Sequence, residues 1–143
     1  MSARITTMVL CDFAQVRDSL LFVSSGGVSR VVAHSFPARL RLYLATVVHI
    51  TGDQVERPHR MSVKFKYPDA VATIGGVEVN IQLNTLSGVY PGEGVNVPQA
   101  LDLSQIPFPK PGQVDVQVAI DDELAGDLTF WVLAAQQAAN PAT

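Results

Sequence analysis

The sequence predicts an all-β fold, an antiparallel β-sandwich of about eight or nine strands, on three observations. First, Gln113-Val114-Asp115-Val116-Gln117-Val118-Ala119-Ile120 places an apolar side chain at every second position. After the acidic turn Asp121-Asp122-Glu123 the chain returns through Leu128-Thr129-Phe130-Trp131-Val132, the pattern of an antiparallel pair with one face buried. Second, Ile106-Pro107-Phe108-Pro109-Lys110-Pro111-Gly112 leads into that pair as a stiff approach ending in a turn. Its Phe108 is expected to plug the open end of the core. Third, the upstream chain is a series of short β-branched and apolar runs separated by Gly/Pro turns, a spacing that favours a sandwich over a barrel.

Taken in order, Ile5 to Cys11 is β-branched and apolar on both faces and predicts a strand. Asp12 to Asp18 reads as a connection with room for one helical turn. Leu20 to Ser24 is a short strand, Ser25-Gly26-Gly27 a turn, and Val28 to Ala33 its expected hairpin partner. Ser35-Phe36-Pro37 stops that hairpin. Arg39 to Thr51 reads as one long strand, with Leu40, Leu42, Leu44, Val48 and Ile50 on one face and Arg41, Tyr43, Val47 and His49 on the other. A polar loop, Gly52 to Pro58, precedes a strand from Arg60 to Tyr67. Its Met61, Val63, Phe65 and Tyr67 should point inward and its Arg60, Ser62, Lys64 and Lys66 outward. Pro68-Asp69-Ala70 is a tight connection. Val71 to Leu83 reads as a strand interrupted by a bulge or bend at Gly75-Gly76. Thr85 to Pro98 is loop-like and runs into a short strand near Val95 to Leu103.

At 143 residues, 48% hydrophobic and 16% charged, the chain is globular and long enough for one self-sufficient core. The expected domain spans residues 4–133, and the Ala/Gln-rich residues 134–143 lack apolar periodicity and are expected to form a disordered tail. Up to Lys66 there are nine Lys/Arg against four Asp/Glu, and beyond it one against nine. In a sandwich the strands of both halves interleave, so this imbalance either marks an interacting surface or averages out. The single cysteine, Cys11, excludes an internal disulfide. Met8-Val9-Leu10 is too short for a signal core, and no apolar run reaches the roughly 20 residues of a membrane span. A cytoplasmic protein without a membrane partner is the expectation.

Chemistry-bearing patterns are sparse. His34, His49 and His59 are far apart in sequence, so no local metal-ligand pair exists, and no cofactor is expected. The Asp121-Asp122-Glu123 turn lacks the spaced ligands of a calcium loop and reads first as a hairpin tip. Ser87 lacks the preceding glycine of a nucleophile elbow, and Cys11 at a strand end reads as a buried small hydrophobe. Gly92-Glu93-Gly94 is too short to cradle a phosphate. The strongest electrostatic feature is the outward row Arg60, Lys64 and Lys66, with Arg41 on a possible neighbouring strand. It is either a basic strip for an acidic partner or an edge-strand protection. Without interleaved exposed aromatics it does not suit nucleic acid.

Leu10-Cys11-Asp12-Phe13-Ala14, Phe36-Pro37 followed by Leu42-Tyr43-Leu44, and Ile106 to Gly112 resemble, in order and spacing, a widespread group of small bacterial proteins of unknown function, notably actinobacterial ones. The resemblance covers roughly Ile5 to Val132. It implies a compact Ig-like sandwich in the cytoplasm and offers no catalytic residues to transfer. The chain departs from the group around Arg17-Asp18-Ser19, where a glycine-containing turn is expected.

These readings together predict a non-enzymatic protein-interaction or assembly module, with a protein partner or a homo-oligomer. Its candidate contact residues are Arg41, Arg60, Lys64, Lys66, Asp121, Asp122 and Glu123. Two alternatives stay open. One is a ligand-binding or enzymatic sandwich using the 85–98 loop with His34 or His59. The other is a phage- or particle-associated accessory domain.

Overall fold

The computed structural model describes residues 3–83 and 90–135. Two sheets face each other across one core. The first has the strand order β2-β1-β5-β8, built from β1 (Ala3–Arg17), β2 (Leu20–Gly26), β5 (Tyr43–Ile50) and β8 (Val95–Asp102). The second has the order β3-β11-β10-β6-β7, from β3 (Arg30–Ala33), β6 (His59–Lys66), β7 (Gly75–Ile81), β10 (Gly112–Ile120) and β11 (Glu123–Ala134). Two short strands, β4 (Ala38–Arg39) and β9 (Pro107–Phe108), pair at the margin. The last hairpin, flanked by β6 and β7 and faced by β1, β5 and β8, has the strand order of an Ig-like sandwich. Among the described residues no helix is long and apolar enough to cross a membrane.

The core is the set of alternating positions that the sequence marks. Leu44, Val48 and Ile50 of β5, Met61, Val63 and Phe65 of β6, and Val114, Val116, Val118 and Ile120 of β10 are all buried. Phe108 is fully buried and sits edge-on to both Phe65 (6.0 Å) and Phe130 (5.9 Å), so it closes the core as expected. The proline-rich approach is fixed from outside by Tyr67. Its hydroxyl donates to the Lys110 carbonyl (2.8 Å) and accepts from the Lys110 N–H (3.1 Å).

Thr46 occupies the inward row between Leu44 and Val48, fully buried, and its hydroxyl oxygen has no hydrogen-bond partner. Gln99 lies directly across the ladder, and its Oε1 is also buried without one. A buried hydroxyl with no partner costs stability that an isosteric methyl does not. Thr46→Val is therefore expected to stabilise the fold by up to about 1 kcal/mol, read as a rise in melting temperature. A fall of similar size would show that the hydroxyl is satisfied in solution.

Several expectations are corrected. Residues 12–17 are neither connection nor helical turn: β1 continues through them to Arg17. Leu20 to Ser24 does not pair with Val28 to Ala33. It folds back on β1 through Asp18-Ser19, whereas β3 runs parallel to β11, making one parallel ladder in an otherwise antiparallel fold. Asp18 and Ser19 both take positive φ (52° and 61°), as do Asp121 and Asp122 (51° and 68°). Both hairpins thus use two-residue turns of the primed kind, in which short polar side chains stand in for glycine. Glu123 accordingly belongs to β11 and not to the turn. The long strand expected from Arg39 to Thr51 is split into β4 and β5, and β7 starts at Gly75 instead of being interrupted there. The expected tail begins with Ala134, the last residue of β11; residues 136–143 lie outside the described residues, as do residues 84–89 of the 85–98 loop.

Candidate functional site

Of the residues singled out for contact, β6 presents Arg60, Lys64 and Lys66 outward as expected, and its neighbours engage the row chiefly at Arg60. Arg60 pairs with Glu78 on β7 (3.4 Å) and with Asp122 at the β10–β11 turn. Lys66 stands directly opposite Asp115, and Lys64 opposite Gln117. The basic first half and the acidic second half of the chain meet here side by side. Arg41 is not part of the strip. It lies between β4 and β5, where it lines one recess with His34 and Arg39 and another with Asp12 and Asp102.

The acidic turn is structural too. His59 is buried, with Nδ1 2.6 Å from Asp121 Oδ2 and Nε2 2.9 Å from the Gln54 carbonyl oxygen. Both ring nitrogens lie within hydrogen-bond distance of oxygen acceptors. The Asp121 carboxylate also accepts from the Arg60 N–H (2.9 Å). Partial burial pushes the Asp121 carboxyl up, but the Arg60 N–H, the His59 hydrogen bond and the charges of His59 and Arg57 outweigh it and hold the carboxyl below its usual range. This cluster latches the 52–58 loop to the β10–β11 turn. Glu123 is exposed at the start of β11. Among the described residues no three His, Cys, Asp or Glu side chains are placed to hold a metal ion.

Cys11 is fully buried and its thiol donates to the Tyr43 carbonyl (3.6 Å). Burial first, and the neighbouring Asp12 charge second, push the thiol up, away from the thiolate form a nucleophile needs. His34 lines a recess of about 330 Å³ with Arg39 and Arg41 at the 31–41 segment, and His59 is enclosed in its latch. Tyr90 to Glu93 lines a separate recess with Gly52, Asp53 and Glu56. The three histidines and the described part of the loop do not converge.

The surface feature that the sequence reading passed over is the β1–β2 hairpin. Beyond the main core it carries a second small one: Cys11, Ala14 and Ala45 are buried, with Val9, Leu21, Tyr43 and Ala100 packed on them. Ala14 and Leu21 therefore tie the hairpin to β5 and β8 of its own sheet. Around this anchor, Phe13, Val16, Leu20, Phe22 and Val23 are exposed. Phe13 lies edge-on to Tyr43 (5.2 Å), and the Arg17 guanidinium sits over the Phe22 ring (5.4 Å). The cross-strand register places Arg17 beside Leu20, Val16 beside Leu21, Gln15 beside Phe22, Ala14 beside Val23 and Phe13 beside Ser24.

As an edge strand, β2 differs from the other three. Pro98 sits within β8, Glu78 and two glycines mark β7, and β3 is only four residues long with Arg30 at its start. These are the usual ways of blunting a sheet edge. In β2, Leu-Leu-Phe-Val-Ser-Ser-Gly, there is no charge and no proline, and every residue but Leu21 is exposed. The signal was present in the sequence as two apolar runs separated by Asp18-Ser19, but the absence of a glycine there concealed the turn.

Comparisons with known proteins place this geometry in context. Residues 6–133 match the model of a family described as a family of unknown function, DUF6941. No curated protein matches the chain. Among solved structures, an immunoglobulin-like protein from Pseudomonas aeruginosa matches at 15% identity and TM-score 0.45, covering 92% of this chain and 97% of that one. A Pseudomonas fluorescens alkylpurine DNA glycosylase, bound to DNA containing an abasic site analog, matches at 11% identity and TM-score 0.47 over 93% of this chain. A β-glucosidase from Listeria innocua in complex with glucose matches at 11% identity and TM-score 0.41 over 92% of this chain. The chain spans only 31% and 16% of the length of those two enzymes, and identities this low transfer no activity.

Proposed function

The chain belongs to the DUF6941 family of unknown function, and from that premise we propose that it is a non-enzymatic interaction or assembly module that docks a protein partner, of its own kind or another, through the β1–β2 hairpin. One observation carries the reading. The hairpin combines an unblunted sheet edge with five exposed apolar side chains, while its anchor on Ala45 and Ala100 keeps it in place. Phe13, Leu20 and Phe22 share one face of the hairpin, and an exposed apolar cluster of this kind on a folded domain marks an interaction surface. The edge adds backbone donors and acceptors that an incoming strand can complete. Arg60 and the acidic turn, by contrast, are engaged with each other, and this supports a structural role for Arg60, Asp121 and Asp122.

The test is capture from an extract of the source organism with the tagged protein, followed by identification of what is retained. Proteins held by the native chain should be lost with Phe13→Ser and Phe22→Ser and kept with Lys64→Gln and Lys66→Gln. The reverse pattern would move docking to the β6 face. Retention of nothing, with no self-association either, would overturn the module reading.

A further inference from the structure

We propose that the occupant of the β2 edge is a second copy of this chain, paired antiparallel to it about a two-fold axis at Phe22. The inference rests on the docking role of the hairpin and names its partner.

The register of β1 on β2 fixes what such a pairing would bring together. In an antiparallel ladder centred on Phe22, Phe22 faces its own counterpart, Leu20 faces Ser24, and Leu21 faces Val23. The existing ladder extends these rows across the sheet. On one face the row runs Arg17, Leu20, the counterpart's Ser24 and the counterpart's Phe13. Here the large Leu20 lies over the small Ser24 and reaches the ring beyond it. The central row on that face runs from Gln15 through the two Phe22 rings to the other Gln15. On the opposite face it runs Val16, Leu21, Val23 and Ala14, apolar throughout. Leu20, Phe22 and Val23, the exposed apolar residues of β2, each gain a cross-strand neighbour in this register, and Phe13 comes within reach of the counterpart's Leu20. A ladder shifted to a Val23 centre sets Leu21 against Ser25, whose φ is +55°, and leaves strand geometry at that point.

Size and symmetry agree on a small, reversible dimer. Leu20, Phe22 and Val23 on the edge strand are 63%, 45% and 42% exposed and gain neighbours across the axis, while Phe13 and Val16 lie one strand back on β1. A contact through one strand edge falls at the small end of specific interfaces, below about 1,200 Å² in total, where weak pairings sit. Two-fold closure uses the edge once on each copy and leaves none open, so the assembly stops at a dimer with a continuous eight-stranded sheet. A foreign strand would satisfy the same backbone groups, but nothing in the register requires its side chains to fill these rows.

Sedimentation over a concentration series should show a monomer–dimer equilibrium, weakened about tenfold or more by Phe22→Arg, which sets two like charges face to face at the axis. Lys64→Gln should leave it unchanged. Single cysteines introduced in a Cys11→Ser background read the register directly. Phe22→Cys should crosslink to its counterpart under mild oxidation, because directly opposite Cβ atoms are within reach of a disulfide. Leu20→Cys should not, because it lies four positions along the ladder from the other copy's Leu20. Circular dichroism of each variant controls for folding. A chain monomeric at every concentration overturns self-pairing, while specific capture of other proteins would still support the docking role. A dimer in which Phe22→Cys crosslinks no better than Leu20→Cys overturns the proposed register.

Discussion

Phe108→Ala is expected to destabilise the protein by about 3–5 kcal/mol, the largest effect of any single truncation considered. The ring is fully buried where the proline-rich approach crosses the end of the core, and it contacts Phe65 of β6 and Phe130 of β11 edge-on. Removing it opens a cavity between three elements and leaves two aromatic edges without a partner. The walls cannot easily collapse. β9 is held to β4, and Lys110 is pinned through its backbone to the Tyr67 hydroxyl. For a domain of this length the loss corresponds to a fall of roughly 10–20 °C in melting temperature, and it is a large part of the roughly 5–15 kcal/mol typical of a whole domain. Chemical denaturation of the purified variant measures it. A loss under about 1 kcal/mol would show that Phe108 is not the plug of the core.

The second large effect is expected at the His59 latch. His59→Leu keeps most of the volume but removes both hydrogen bonds. It leaves the Gln54 carbonyl with only the Arg57 N–H (3.2 Å) and Asp121 with only its backbone contact and Arg57 nearby. A cost of roughly 1.5–3 kcal/mol is expected, the range for a hydrogen bond to a charged group, here the Asp121 carboxylate. The sign of the associated pH dependence follows from Asp121. Its carboxyl is held below the usual carboxylate range in the folded state, so the unfolded chain takes up the proton first as pH falls. The stabilisation is complete well above a pH of about 4 and is lost as pH drops through that region and below. Asp121→Asn removes the titrating group while retaining a side chain that tolerates the positive φ of this turn position. The acid limb of its stability curve should therefore be flatter than that of the native protein. Parallel curves would show that Asp121 does not couple to folding. Because the carboxylate is 44% exposed, solvent screening moderates the size of the change but not its sign.

The two latches, Tyr67 on Lys110 and His59 on Asp121, do related work at different places. Each lets a buried or half-buried side chain hold the backbone of a connection that a hydrophobic contact alone would leave free to slide. They sit at the two ends of β6, His59 opening the strand and Tyr67 following it, and β6 also supplies Met61, Val63 and Phe65 to the core. The strand that looked most like a binding surface is thus the one most committed to holding the fold. The β1–β2 hairpin, anchored through Ala14 and Leu21, keeps five apolar side chains exposed.

How much was legible in advance depended on the range of the interaction. Alternation along 113–120 and 60–67 determined the inward rows of β10 and β6, because a strand's side chains alternate whatever surrounds it. Ile106 to Gly112 announced a stiff approach and a buried Phe108 for the same local reason: proline fixes its own backbone. Partners were another matter. That Val28 to Ala33 leaves the preceding strand to lie parallel to β11 depends on which sheet has an open edge, and no local pattern encodes that. The hairpin turn at Asp18-Ser19 was hidden because non-glycine residues take positive φ there only when the strands on either side hold them. Charge went the same way. The sequence by itself determined that basic residues crowd its first half and acidic ones its second. Only the tertiary structure decided that β6 lies between β7 and β10, where Arg60 pairs with Glu78 and Asp122 and Lys66 stands opposite Asp115, because a Coulomb interaction depends on distance in space and not along the chain.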